Sequence, residues 1–204
     1  VVRVACYSRA IAHGLGVPAD FVNTLFLTSP LHDIGKIGIP DSILLKLGPL
    51  TPEERKTMQQ HCHIGATILS TEPRAVAVAR HHEVSWQDSG GDSLKNPLLH
   101  MAMSIAKNHH EKWDGTGYPE GLARDDIPLE ARIVALVDVF DALTSVRRYK
   151  PAFSLEKSIE IIHKDAGRHF DPELVAAFDH NRSEIVDIHN ELQEAEAYWN
   201  PLEG

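Results

Sequence analysis

No stretch of this 204-residue chain alternates apolar and polar residues long enough to make a half-buried strand, whereas apolar residues recur at helical spacing along most of it. That pattern confines the chain to an all-α fold. Val4, Ile11 and Leu15 share one stripe of a first helix that ends near Gly14 and Gly16. A second helix runs from about Asp20 through Phe21, Leu25 and Phe26 towards His32, and Pro30 near its end removes a backbone donor and bends it. Thr51-Pro52-Glu53-Glu54 combines a cap, a first-turn proline and a capping-box glutamate, which predicts one helix through His61 to Leu69.

Residues 74–82 also read as helix, and the polar, Gly-containing stretch 85–97 reads as an exposed loop. Leu98, Ala102, Ile105 and His109 share one face of the next helix, before turn-forming residues from Asp114 to Pro128 break the pattern. Further helices are expected over Leu129 to Ser145, from Ser154 to a stop at Gly167, from Asp171-Pro172, and over the acidic stretch Ser183 to Trp199. The expectation is a compact helical bundle. Residues 1–180 would form the main domain, and 181–204 an acidic helical tail packing on it or extending it.

Charge narrows the function. Lys and Arg number 20 against 29 Asp and Glu, a net charge of −9, so there is no basic field for long nucleic acid and any nucleotide must be met locally. Cys6 and Cys62 lack metal-knuckle spacing and read as small buried hydrophobes in a reducing cytoplasm. No apolar run is long enough to span a membrane, and no charged n-region precedes a cleavable apolar segment. The chain opens on Val1 inside an amphipathic pattern, as a piece cut from a larger protein would.

Thirteen histidines require a chemical explanation. His32-Asp33 closes an apolar helix, His61 lies on the next, and His109-His110 ends a later one, so imidazoles come from three helices of one bundle, as bundle metal sites are built. Taken singly, an adjacent His-Asp pair occurs by chance, and His61 among Gln59, Gln60 and His63 reads as a surface histidine. Asp138 is embedded in Ile133-Val134-Ala135-Leu136-Val137-Asp138-Val139-Phe140, where an unpaired carboxylate costs several kcal/mol. A cation, an Arg partner, a capped loop contact or a solvent-facing position would each answer that.

Together His32, Asp33, His61, His109, His110 and Asp138 exceed one tetrahedral zinc and suit two octahedral ions sharing a bridge. Nitrogen and oxygen donors without thiolate point to iron or manganese. Two such ions activate water for in-line displacement at phosphorus, so phosphodiester hydrolysis is the matching reaction class. Asp141, three residues after Asp138, reads equally as an acceptor orienting a ligand or as a structural hydrogen-bonding group. His13, His63, His100, His163, His169, His180 and His189 read as surface or hydrogen-bonded groups.

The segments HDIGKIGIPD at 32–41, MQQHCHIG at 58–65, HHEKWDGTGYPEGL at 109–122, DVFDALTSVRRYK at 138–150 and HFDP at 169–172 resemble the HD-GYP family of the HD phosphohydrolase superfamily. The resemblance implies an all-α HD-type bundle with a GYP loop beside the metal site. It implies that the six residues are metal ligands with Asp33 as the bridge, that Lys36 approaches the scissile phosphate, that Tyr118 contacts substrate, and that Arg147 and Lys150 bind phosphate or guanine.

The implied activity is hydrolysis of cyclic di-GMP to pGpG, and onward to GMP, in bacterial signalling. The alternatives are a non-catalytic nucleotide-binding sensor and an HD phosphohydrolase of another nucleotide. The implied cofactors are two divalent ions, with a third left open, because three-metal members add a glutamate and a histidine upstream of the Val-Arg-Val-Ala segment. An upstream receiver or sensory domain and a homodimer contact are the implied partners. Two further departures stand out: Arg148 lies where the family often has proline, and the 48 residues from His61 to His109 include a second pair, His81-His82-Glu83, without a GYP continuation.

Overall fold

The computed structural model describes residues 2–70, 96–146 and 151–198, and among them it contains α-helices and 3-10 turns but no strand. The helices are α1 Val2–Gly14, α2 Ala19–Thr28, α3 Asp41–Leu44, α4 Pro52–Gln59 and α5 His61–Ser70, then α6 Pro97–Asn108, α7 Leu129–Thr144, α8 Leu155–Lys164, α9 Pro172–His180 and α10 Arg182–Tyr198. The expected all-α fold is thus observed. The helix expected over 74–82, most of the loop at 85–97, His81-His82-Glu83, Arg147, Arg148 and Lys150 lie outside the described residues.

The central element is α7. Ile133, Val134, Leu136, Val137 and Phe140 are all fully buried, which gives the helix apolar residues around most of its circumference and requires neighbours on several sides. α1 supplies Val4, Tyr7 and Ile11, α9 supplies Leu174 and Phe178, and α10 adds Ile185 to the same core. Phe140 meets the edges of Tyr7 and Phe178 at centroid distances of 5.3 and 5.1 Å, each pair adding about 0.5–1.5 kcal/mol beyond its area burial.

Cap-and-proline starts are realised at Thr51-Pro52 and Asp171-Pro172, and Ser154 caps α8 by accepting from the Lys157 N–H. At Thr51 the capping box is complete, with Glu54 Oε2 accepting from the Thr51 N–H at 2.8 Å. The single helix expected from Thr51 to Leu69 is instead two, separated at Gln60. The break coincides with the His61 ring, whose Nδ1 donates to the Met58 carbonyl at 2.7 Å. Pro30 has the expected effect: α2 ends at Thr28, and the chain tightens into a 3-10 turn over Ser29–Leu31.

A second packing layer carries the chemistry. α5 lies against α6 and against the 3-10 segment Ile34–Gly38. The latter contact leaves no room for a side chain: a Cβ on Gly35 would stand 1.9 Å from the His61 carbonyl oxygen and 2.5 Å from the Gly65 nitrogen. Backbone therefore rests directly on backbone, and Asp33 and His61 are held at a separation set by that contact.

Candidate metal centre

The six residues singled out in the sequence converge on one site in the bundle. His32 and Asp33 sit between two 3-10 turns, His61 opens α5, His109 caps the C-terminal end of α6 with His110 next to it, and Asp138 lies midway along α7. Donor atoms of Asp33, His61, His109 and His110 all lie within 4.8 Å of one another. His32 and Asp138 adjoin this group. His32 Nε2 is 3.5 Å from Asp33 Oδ2 and 3.6 Å from Asp138 Oδ1.

The imidazoles are aimed by the main chain. Nδ1 of His32 donates to the Ser29 carbonyl at 2.7 Å, that of His61 to Met58 at 2.7 Å, and that of His109 to Ile105 at 3.0 Å. A ring nitrogen facing a carbonyl must carry the proton, so in each neutral ring Nε2 presents its lone pair inward, the tautomer a metal ligand needs. Nε2 of His61 and of His109 face Asp33 Oδ1 at 3.6 and 3.8 Å, while His32 faces the other oxygen. Asp33 thus has one oxygen turned to each of two groups of donors.

These separations are too long for hydrogen bonds, and both Asp33 Oδ1 and His109 Nε2 are buried without a partner among the described residues. Lone pairs facing lone pairs in a buried site are unfavourable unless a cation lies between them. The donor set, nitrogen and carboxylate oxygen only, fits a divalent ion of intermediate hardness.

Electrostatics follow from the same geometry. Burial raises the Asp33 carboxyl, but His109, when its Nε2 carries a proton in place of a bound cation, and the Lys36 ammonium outweigh it and hold the group far below the ordinary carboxylate range. Burial lowers His61, and burial with the neighbouring His109 and His61 rings lowers His110 to about 2, so both stay neutral. His32 moves the other way: burial would lower it, but Asp138 and Asp33 outweigh that and raise it. For Asp138, burial is overcome by the adjacent His32, and its carboxyl is lowered.

Lys36 Nζ donates to Asp33 Oδ2, and its side chain is 40% exposed at the mouth of the centre. The Tyr118 ring lies over His110, centroids 4.7 Å apart, and its N–H donates to the His110 carbonyl at 3.2 Å. Burial keeps the Tyr118 phenol above its ordinary pKa, so it is a neutral hydroxyl. Asp141 pairs with Arg3 at 2.5 Å, so the structural reading of that residue prevails over that of a ligand-orienting acceptor.

Glu111 was not among the residues that sequence patterning picks out for a role. It is 2% exposed, and its carboxylate accepts from the backbone N–H groups of Glu120, Gly121 and Leu122 at 2.7, 3.1 and 3.1 Å. It thereby closes the GYP loop. The signal that could have found it is an acidic residue next to two histidines and followed by a glycine-rich turn. Gly117 completes the fold of that loop, since a Cβ there would stand 2.4 Å from the Lys112 nitrogen.

The other described histidines lie elsewhere. His189 Nδ1 bonds the Tyr7 hydroxyl at 3.2 Å, His163 pairs with Asp179 at 2.8 Å, His169 stacks on Phe170, and His13, His63, His100 and His180 are exposed. Cys62 is fully buried as expected, with burial pushing its thiol up to about 12, whereas Cys6 is half-buried. No described helix is long and apolar enough to cross a membrane.

Residues 1–174 match the family described as HD domain. A cyclic di-GMP phosphodiesterase of Vibrio cholerae is 45% identical over 87% of this chain and 34% of its own length. A cyclic di-GMP phosphodiesterase of Thermotoga maritima is 40% identical over 97% of this chain and 48% of its own. The chain thus spans between a third and a half of these relatives. Among solved structures, an HDG"Y"P protein from Bdellovibrio bacteriovorus superimposes with a TM-score of 0.58 at 21% identity, over 89% of this chain and 50% of that one, which supports the fold. With the HD pair, the HHExxDGxGYP segment and the helical bundle in agreement, the chain belongs to the HD domain family, in its HD-GYP branch.

Proposed function

We propose that this chain is a divalent-metal phosphodiesterase that hydrolyses cyclic di-GMP. The observation that carries the reading is Asp33: a half-buried carboxylate with its buried Oδ1 turned to His61 and His109 and its Oδ2 to His32, an arrangement that would let it be shared by two ions. The names of the two enzymes reported above support the substrate. We assign His32, Asp33, His61, His109, His110 and Asp138 as ligands of two ions, with iron or manganese favoured by the absence of thiolate donors.

The ions, when bound, supply Lewis acidity toward the phosphodiester and lower the pKa of the attacking water. The chain's own residues hold and polarise the substrate. Lys36, at the exposed edge of Asp33, offers its ammonium to the charge that develops on the phosphoryl oxygens. Tyr118 is a neutral donor fixed over His110 and contacts the dinucleotide from the loop side. Arg147 and Lys150 are assigned to phosphate or guanine on the strength of the DVFDALTSVRRYK motif. Addition of one water to one P–O bond opens the ring to pGpG; a second addition yields two GMP.

Cytoplasmic residence, an attached receiver or sensory domain, and a homodimer contact belong to the same reading. The test is incubation of the chain, loaded separately with iron and manganese, with cyclic di-GMP, a cyclic GMP-AMP dinucleotide and a mononucleotide, products being resolved by chromatography. Conversion of cyclic di-GMP to pGpG is expected. A folded, loaded protein that leaves it intact would overturn the proposal, and binding without turnover would reassign the chain as a nucleotide sensor.

A further inference from the structure

The HFDP turn, residues 169–172, supplies none of the six donors, and the structure sets it behind the GYP loop. The N–H groups of Trp113 and Asp114 donate to the carbonyls of His169 and Arg168 at 3.1 and 2.9 Å. Arg132, on α7, crosses the same junction. Its Nη1 donates to Asp171 Oδ2 at 2.6 Å and to Asp125 Oδ1 at 3.1 Å, and its guanidinium lies 5.5 Å from the centroid of the Trp113 ring. Asp171 is 4% exposed and also caps α9, accepting from the Glu173 N–H at 2.9 Å.

Arg132 Nε is buried and meets no acceptor among the described residues. It borders a cavity of about 10 Å³, lined in part by Glu111, Trp113, His169 and Asp171, which has room for the centre of one water molecule and polar groups to hold it. An enclosed ion pair contributes little net stability compared with a well-packed apolar substitute; what it can supply is one defined geometry. Here that geometry is transmitted. Glu111, which lines the same cavity, holds the N–H groups of residues 120–122, and Tyr118 is tied to the His110 carbonyl.

We propose that Arg132 and Asp171 are positioning residues that, with one water buried at Arg132 Nε, fasten the GYP loop to the HFDP turn and so fix where Tyr118 stands over the metal centre. The effect on substrate rests on the phosphodiesterase reading above; the fastening of the loop does not.

Two variants of the full chain test it. Arg132→Lys keeps the charge but loses Nε and the planar fork, and Asp171→Asn keeps an oxygen to cap α9 but loses the anion. In both, backbone hydrogen exchange over residues 113–122 is expected to accelerate about tenfold or more, the scale of losing a charge-assisted hydrogen bond. Protection in α1 and the metal content should not change. KM for cyclic di-GMP should rise about tenfold while kcat stays within about threefold, as expected when binding geometry rather than the chemical step is disturbed. A crystal structure of the wild type should place one water against Arg132 Nε.

Unchanged exchange over 113–122 in both variants overturns the proposal, as does a uniform loss of protection across the molecule; a dry cavity removes the water from the link. If the wild type itself fails to hydrolyse cyclic di-GMP, the functional reading falls while the exchange data still decide the fastening.

Discussion

Asp33 and Glu111 are two carboxylates of the same bundle, the first half-buried and the second fully buried, and they are partnered in opposite ways. Glu111 accepts from three backbone N–H groups and is complete within the chain. Asp33 accepts from Lys36 on one oxygen, while the other faces imidazole nitrogens without a hydrogen bond. A satisfied buried carboxylate stabilises the fold that surrounds it. One whose buried oxygen faces imidazole nitrogens, with Lys36 on the other oxygen alone, is completed only when a metal cation arrives. The two residues therefore separate what the chain needs to fold from what it needs to act.

The sharpest way to break this contrast is Asp33→Asn, which keeps the volume and removes the charge. Turnover should fall by on the order of a thousandfold and bound metal should drop, read by elemental analysis, while the metal-free protein, losing the Lys36 pair, melts lower by less than it does in Glu111→Gln. A large fall in the metal-free melting temperature would make Asp33 a folding residue like Glu111. Glu111→Gln should behave in the converse manner. It turns an amide donor towards backbone N–H groups and should cost about 1–3 kcal/mol in denaturant unfolding of the metal-free protein.

Acidification tests the same division through the imidazoles. His61 and His110 are lowered in the fold, so below their ordinary value of 6.5 the unfolded chain binds more protons and stability declines as pH falls. His32 is raised, so it contributes stability below 6.5 that is lost as pH rises through its folded value, a partial offset. With His169 also lowered by burial, three lowered groups against one raised give a net loss on going from pH 7 to pH 5 in the metal-free protein, measurable by calorimetry. Metal retention on dialysis should decline over the same range, because protons compete for the ligand nitrogens; retention independent of pH would count against imidazole ligation. The smallest effect belongs to Thr51→Ala, which removes the capping hydroxyl at the start of α4 and should cost about 1 kcal/mol with no change in bound metal.

Helices and their ends were legible because they obey local rules: a cap before a proline, a glycine after the last apolar residue, a period of 3.6. The six residues were legible because metal-ligating residue types are costly inside apolar helices, and they meet at one site. Contacts across long chain separations were not. Asp141 offers two readings from its place beside Asp138, and the choice is made by Arg3, 138 residues earlier. Glu111 finds its partners 9 to 11 residues downstream in a loop whose path no periodicity encodes. The break at Gln60 likewise has no composition signal, since it coincides with a ring seeking a carbonyl.

Three imidazoles of the centre take their aim from the carbonyls of Ser29, Met58 and Ile105. A side-chain acceptor can be lost by a single codon change, but every amino acid brings a carbonyl. The orientation of these rings is therefore inherited with the path of the backbone, and sequence drift at those three positions leaves it intact as long as the local turns survive.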